Sequence, residues 1–187
     1  MKELSLNILD IAENSVKAGA TLTAISLTDT ADTRTLTITD DGCGMDADTV
    51  RRVTDPFYTT RTTRRVGMGL PLLILAAEQT GGHVTVVSRD EATHPTDHGT
   101  EVTAVFRTDH IDCVPLGDVI STVTTLIQGH PDTDFRFVHT REGAPPVELD
   151  TRALREVLED VPLDSYEILL WIRDYLQEQY DAETDPQ

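Results

Sequence analysis

Apolar side chains at Leu4, Ile8, Ile11, Ala12 and Val16 recur at three- to four-residue intervals with polar residues between them, which predicts a helix over residues 3–18. The period then changes. Thr21–Thr28 and Thr35–Thr39 alternate apolar residues with threonine, the pattern of strands buried on one face. Asp46–Val53 predicts a short helix, and Gly69–Thr80 an apolar helix that Gly81-Gly82 ends. Between these two, Asp55–Val66 has no apolar period and is rich in Thr and Arg, so it predicts a loop. His83–Ser88 and Glu101–Thr108 predict strands joined by the polar loop Arg89–His98. The remainder starts near Asp109. It predicts a helix over Leu116–Gln128, a short strand over Phe135–His139 and a turn at Gly143–Pro146. A helix over Thr151–Glu159 follows, with Asp150 as N-cap. The last helix, Ser165–Tyr180, is amphipathic, with Ile168, Leu169, Ile172 and Leu176 on one face and Asp164 or Ser165 as cap.

Composition narrows the function classes. The chain has 187 residues, of which 39% are hydrophobic, enough for a core and too many for a disordered chain. Its formal net charge is −18, with Lys2 and Lys17 as its only lysines. Nucleic acids and anionic membranes demand a basic footprint, so both are excluded as expected partners. Cys43 and Cys113 stand far apart without a C-x-x-C pair, which argues against a disulfide framework or a zinc site. The longest apolar run, near Leu70–Ala77, is far short of the ~20 residues that span a bilayer. Asn7, Asp10, Glu13 and Asn14 interrupt what would be the apolar stretch of a signal peptide. A cytoplasmic protein is therefore expected.

Three motifs carry candidate chemistry. In the first helix Asp10 and Asn14 are four residues apart and Lys17 is three further on, which puts them on one helical face. Glu13 points about 100° away around the helix. The second motif, Asp40-Asp41-Gly42-Cys43-Gly44-Met45, follows a strand directly. A carboxylate at a strand end can accept a hydrogen bond from an exocyclic amine, and glycines let the backbone lie against a ring. The third is Gly67-Met68-Gly69-Leu70, opening a helix whose free N–H groups and dipole suit a phosphate. Each alone is a weak signal, since D-D-G and G-x-G are also ordinary turn punctuation.

In this order the motifs resemble the N, G1 and G2 boxes of the GHKL ATPase superfamily, which includes gyrase, heat-shock chaperone, histidine kinase and mismatch-repair ATPases. Asp55-Pro56-Phe57-Tyr58-Thr59-Thr60-Arg61 is similar to the F box of histidine kinases, and Gly99-Thr100 to the Thr-bearing motif that closes the site. The resemblance implies an α/β (α+β) two-layer sandwich, a mixed β-sheet with helices on one face. It implies ATP (or ADP) and Mg²⁺ as ligands. Asn14 takes the Mg²⁺ position, Lys17 the basic position after it, and Asp40 the adenine contact. Gly42, Gly44 and Met45 lie along the base. Phe57, Thr59, Thr60 and Arg61 belong to the F box and lid, Gly67, Met68, Gly69 and Leu70 to the phosphate turn, and Thr100 to a site shared with Asp40. Hydrolysing members place a glutamate base where this chain has Asp10, one methylene shorter, so weak intrinsic hydrolysis is expected.

The resemblance covers residues 1–108; residues 109–187 form a small α-rich C-terminal extension with an expected interaction or regulatory role. Because the first helix begins at residue 3, no phosphoacceptor hairpin is expected ahead of it. Leu149-Asp150-Thr151-Arg152 and Asp160-Val161-Pro162-Leu163 are similar to the tails of small stand-alone histidine-kinase-like ATPases of anaerobic bacteria, found beside iron-hydrogenase genes. The expected function is a histidine-kinase-like ATP-binding protein acting on or with a separate partner protein, redox or hydrogenase-related by that tail, in signalling. The alternatives are an anti-sigma-type serine kinase or switch and a non-catalytic nucleotide sensor. A homodimer is left open.

Overall fold

The computed structural model of the chain describes residues 3–55 and 69–182. In chain order they form α1 (Leu4–Lys17), β1 (Leu22–Asp29), β2 (Thr33–Asp40), α2 (Ala47–Thr54), α3 (Gly69–Gln79), β3 (His83–Arg89) and β4 (Gly99–Arg107). These are followed by α4 (Val119–Gly129), β5 (Asp134–Arg141), β6 (Val147–Asp150), α5 (Thr151–Leu158) and α6 (Tyr166–Asp181). Residues 56–68 lie outside the described residues, and with them the expected loop beyond Asp55, including Phe57, Thr59, Thr60 and Arg61, and Gly67 and Met68 of the expected phosphate turn.

The strands form one mixed sheet in the order β3-β4-β2-β1-β5-β6. The β1–β5 pair is parallel and the others are antiparallel. The alternation along each strand decides which side is covered. Ile25, Leu27, Leu36, Ile38, Val102, Ala104, Phe106, Phe135 and Phe137 all point to one face and are buried there. Over them lie Leu4, Ile8, Ile11 and Ala12 of α1, Leu73 and Ala77 of α3, Val123 and Leu126 of α4, and Ile172 and Leu176 of α6. The opposite face carries the intervening threonines, among them Thr37 and Thr103, whose hydroxyls meet at 3.3 Å across β2 and β4. The sheet continues unbroken past residue 108, because β5 pairs with β1 from Leu22↔Asp134 to Asp29↔Arg141.

Three details differ from the sequence pattern. The turn at Gly143–Pro146 leads into β6, a strand of four residues carrying two acids, too short and too polar to register as an alternation. Its outer edge is closed by a side chain: Gln179 Oε1 accepts from the Glu148 N–H at 2.8 Å, and Gln179 Nε2 donates to the Glu148 carbonyl at 3.0 Å. α4 begins at Val119, because Asp118 caps it by accepting from Ser121 N–H at 2.8 Å. Ser165 occupies the N-cap position of α6, but its hydroxyl makes no capping bond. Asp150 does cap α5, accepting from Arg152 N–H at 3.0 Å.

A polar cluster closes the core at the Asp29 end of the sheet. Arg34 donates Nε and Nη2 to the two oxygens of Asp29, each at 2.7 Å. His139 is almost fully buried, with Nε2 3.3 Å from Asp29 Oδ2 and Nδ1 2.8 Å from the Tyr180 hydroxyl. With Nε2–H donating to the carboxylate, Nδ1 accepts from Tyr180. Tyr180 thereby ties the last turn of α6 to β1 and β5.

Burial pushes the Asp29 carboxyl up, but the hydrogen bonds from Arg34 and His139 and the Arg34 charge outweigh it and hold the group well below the ordinary carboxylate range. A carboxyl whose pKa is depressed on folding adds stability above its unfolded value and loses it as pH falls towards the folded value. Asp29→Asn should therefore cost about 3 kcal/mol at neutral pH by leaving Arg34 without its counter-charge. The gap between variant and parent should narrow once pH falls below ~4, the unfolded carboxyl range. Urea unfolding along a pH series measures this; a gap that does not change with pH would remove the ion pair as its cause.

Candidate functional site

The site is built on the direction in which α1 is held. With Ile8, Ile11 and Ala12 buried against the sheet, Asn14 and Ser15, three and four residues beyond Ile11, face the end of β2. There they line a cavity of about 200 Å³ with Asp40, Gly44, Met45, Leu70, Pro71, Thr100 and Val102; Ile11, Ala18 and Val53 complete it. Most of this lining is apolar, and the polar groups gather at Asp40, Asn14 and Thr100. A second hollow of about 270 Å³, lined by Thr39, Asp40, Val87, Arg89, Asp97, His98, Gly99, Thr100 and Glu101, is larger, but it is shallow and polar. The smaller cavity has the character of a ring-binding pocket: apolar walls with a few convergent polar groups.

Asp40 is aimed by two donors. Its Oδ2 accepts from Ser15 Oγ at 2.6 Å and its Oδ1 from Gly42 N–H at 3.0 Å. A carboxylate has about four acceptor positions, so lone pairs remain for a ligand. Thr100 is the cross-strand partner of Asp40 in the β2–β4 register. Ser88 holds this region together: its hydroxyl accepts from Met45 N–H at 2.8 Å, donates to the Gly99 carbonyl at 3.1 Å, and lies 2.8 Å from Thr100 Oγ1. The neighbouring Asp41 points the other way and serves the fold. It accepts from Thr21 N–H at 2.7 Å and Leu22 N–H at 2.9 Å, as well as from the Thr21 hydroxyl, pinning the start of β1. Burial raises its carboxyl pKa and these hydrogen bonds, stronger together, leave it below its ordinary value.

Two glycines permit backbone contacts that a side chain would block. Gly44 has φ +66°, and a Cβ there would lie 1.9 Å from the Arg89 carbonyl oxygen. Gly99 has φ +136°, and its Cβ would lie 2.0 Å from the Asp40 carbonyl oxygen. The turn after β2 is thus clasped between the end of β3 and the start of β4. His98 adds to the clasp, its Nδ1 lying 2.6 Å from the Gly42 carbonyl oxygen.

Of the residues singled out from the sequence, Asn14, Asp40, Gly44, Met45, Leu70 and Thr100 line the cavity. Gly42 stands behind them as a donor to Asp40, and Gly69 opens the first turn of α3. Asp10 is exposed and lies against that turn, its Cβ 2.7 Å from where a Gly69 Cβ would be. Lys17 is turned to Glu13, 3.7 Å away, with its side chain 70% exposed. Neither Asp10 nor Lys17 is part of the cavity lining. Glu13 also meets His130 Nε2 at 2.7 Å. Ser15, Ser88 and His98 were not singled out from the sequence. Ser15 adjoins Asn14 on a helix whose register already put it toward the core, and that was the available signal; Ser88 and His98 carry none without the sheet register.

The sequence model of the histidine kinase-, DNA gyrase B-, and HSP90-like ATPases matches residues 2–110. A "Putative sensor protein" of Shewanella frigidimarina (strain NCIMB 400) is 36% identical over 76 residues, 39% of this chain. The chain spans 12% of that relative's length. Among solved structures, the N-terminal domain of a DNA repair protein superposes with a TM-score of 0.56 at 16% identity, over 80% of this chain and 53% of that one. The Aquifex aeolicus MutL ATPase domain complexed with ADP superposes with a TM-score of 0.53 at 15% identity, over 85% of this chain and 70% of that one. At these identities the superpositions establish a shared fold.

The Gly44 contact can be tested against a glycine of similar φ in open space. Gly44→Ala should lower the melting temperature by about 4–8 °C, the effect of about 2 kcal/mol in a chain of this size. Gly143→Ala, at φ +80° with nothing within 4 Å, should cost clearly less. Calorimetric melts of both variants compare them, and equal losses would mean that backbone conformation alone, rather than the Arg89 contact, requires glycine at position 44.

Proposed function

The chain belongs to the histidine kinase-, DNA gyrase B-, and HSP90-like ATPase family, and on that premise we propose that its 200 Å³ cavity binds the adenine of ATP or ADP. The observation that carries this reading is Asp40, held by Ser15 and Gly42 with acceptor capacity to spare, in the wall of a mostly apolar cavity. Adenine presents a flat apolar ring and one amine donor. Ile11, Met45, Val53, Leu70 and Val102 suit the ring, and Asp40 suits the amine. Thr100, one strand over, is placed to share that edge. A bound Mg²⁺ would neutralise phosphate charge. Its fit rests on Asn14, whose side chain lines the cavity and makes no hydrogen bond among the described residues; a neutral amide oxygen is a hard donor of the kind Mg²⁺ takes alongside phosphates and water. Among the described residues no three metal-ligating side chains converge, so the ion would depend on the nucleotide for its remaining ligands.

The wider function proposed is a histidine-kinase-like ATP-binding protein that works with a separate partner protein in signalling. A second reading, a nucleotide sensor with little turnover, is favoured by Lys17, whose ammonium is turned to Glu13 at 3.7 Å, and by Asp10, which is one methylene shorter than a glutamate base. Incubation with labelled ATP and a candidate partner separates the readings. Label on a partner histidine supports the first, label on a partner serine supports an anti-sigma-type kinase, and binding without transfer supports the sensor.

Asp40→Asn should weaken ATP binding roughly ten- to hundredfold, the range expected for one charge-assisted hydrogen bond. Unchanged affinity by calorimetry in the folded variant would refute the adenine contact.

Asn14→Ala should reduce affinity only when Mg²⁺ is present, because the amide oxygen is assigned to the ion and not to the base. Equal losses with Mg²⁺ and with EDTA would assign Asn14 a purely structural role.

A further inference from the structure

We propose that the outward face of α6 is a docking surface for a basic, amphipathic segment of a partner protein. This surface lies beyond the family match at residues 2–110, and the inference does not depend on what the nucleotide cavity holds. Leu169, Ile172 and Leu176 turn α6 into the core. The helical period then sends Tyr166 and Leu170 to one flank and Trp171 and Tyr175 to the other, with Glu167, Asp174 and Glu178 as a row between them. Tyr166 is 77% exposed, Trp171 47%, Leu170 45% and Tyr175 37%. Aromatic residues make up only 5% of the chain, so their concentration on one solvent-facing helix surface is not a by-product of composition. Exposed aromatic side chains gathered beside charged ones are a common mark of an interaction site.

The Trp171 and Tyr175 rings are stacked, with centroids 4.9 Å apart and planes 11° from parallel. Each limits the rotamers of the other, so a ligand meets a preformed plate and costs little side-chain entropy. Such a plate attracts a guanidinium through its ring face. The acidic row attracts the same ligand and repels a second copy of this chain, which would bring another −18 protein and another acidic row against it. Charge complementarity thus selects a cationic occupant, and the flanking Tyr166 and Leu170 select one with apolar side chains as well.

The test uses a synthetic amphipathic helical peptide of leucine and arginine, and its isomer with glutamate in place of arginine. The chain has one tryptophan, so intrinsic tryptophan fluorescence reports Trp171 directly. The arginine peptide should shift this emission on binding, and the glutamate peptide should not bind. Trp171→Ala with Tyr175→Ala, followed by anisotropy of a labelled peptide, should weaken binding about tenfold. Glu167→Gln with Asp174→Asn should weaken it similarly at low salt and flatten its salt dependence, whereas Glu78→Gln with Glu91→Gln, equal in charge but at the β3 end of the sheet away from α6, should change it less than about twofold. Glu167→Lys with Asp174→Lys should reverse the preference in favour of the glutamate peptide. Equal weakening by the remote pair would reduce the effect to net charge and overturn the proposal. So would binding insensitive to the aromatic substitutions, or self-association abolished by Trp171→Ala, which would make the surface an interface between copies of this chain.

Discussion

The seating of α1 on the sheet is the constraint from which the site follows. A helix that must bury Leu4, Ile8, Ile11 and Ala12 has one allowed roll about its axis. That roll aims Asn14 and Ser15 at the end of β2, and the 2.6 Å contact from Ser15 to Asp40 is its direct result. The core and the cavity are therefore not separable layers. Ile11 belongs to both, packing beneath the helix and forming a wall of the cavity, so a packing defect under α1 would also misdirect the groups that face a ligand.

Much of this was legible in the residues. The change from a helical to an alternating period placed the strands, and the family resemblance, not the pattern of the residues alone, singled out Asp40, which the register sets beside Thr100. What escaped reading depends on distances between segments remote in sequence. Ser88 contacts Met45, Gly99 and Thr100 only because β3 and β4 pair as they do. His98 reaches Gly42 across 56 positions. The helical wheel put Lys17 near Asn14, but a long flexible side chain goes to the strongest nearby charge, and Glu13 supplies it one turn earlier. β6 was missed because four residues with two acids carry no periodic signal; it exists because β5 offers an edge and Gln179 closes the other side.

The two ends of the sheet are finished differently. At the Asp29 end, an arginine, a carboxylate, an imidazole and a phenol satisfy one another and seal the core. At the Asp40 end the carboxylate is oriented but not saturated, and close main-chain contacts at Gly44 and Gly99, with the Ser88 and His98 side chains, hold the turn beside it. The first arrangement spends its polar capacity on the fold. The second keeps capacity free and uses rigid main chain to hold it in place, which is the condition for a preorganised binding group.

The parallel β1–β5 pair has a consequence for the order in which the molecule comes into being on the ribosome. β1 emerges early, and β2 can pair with it almost at once through a short connection. Its other edge must wait for β5, and at usual rates of synthesis the stretch from Asp29 to Asp134 takes on the order of 10 s to appear. Throughout that interval a strand destined for the middle of the sheet is an edge, with unpaired amides on one side. The nascent chain thus passes through a stage at which its nucleotide-family half is complete in sequence but lacks the strand that covers its flank. That stage is where mispairing with another chain would begin.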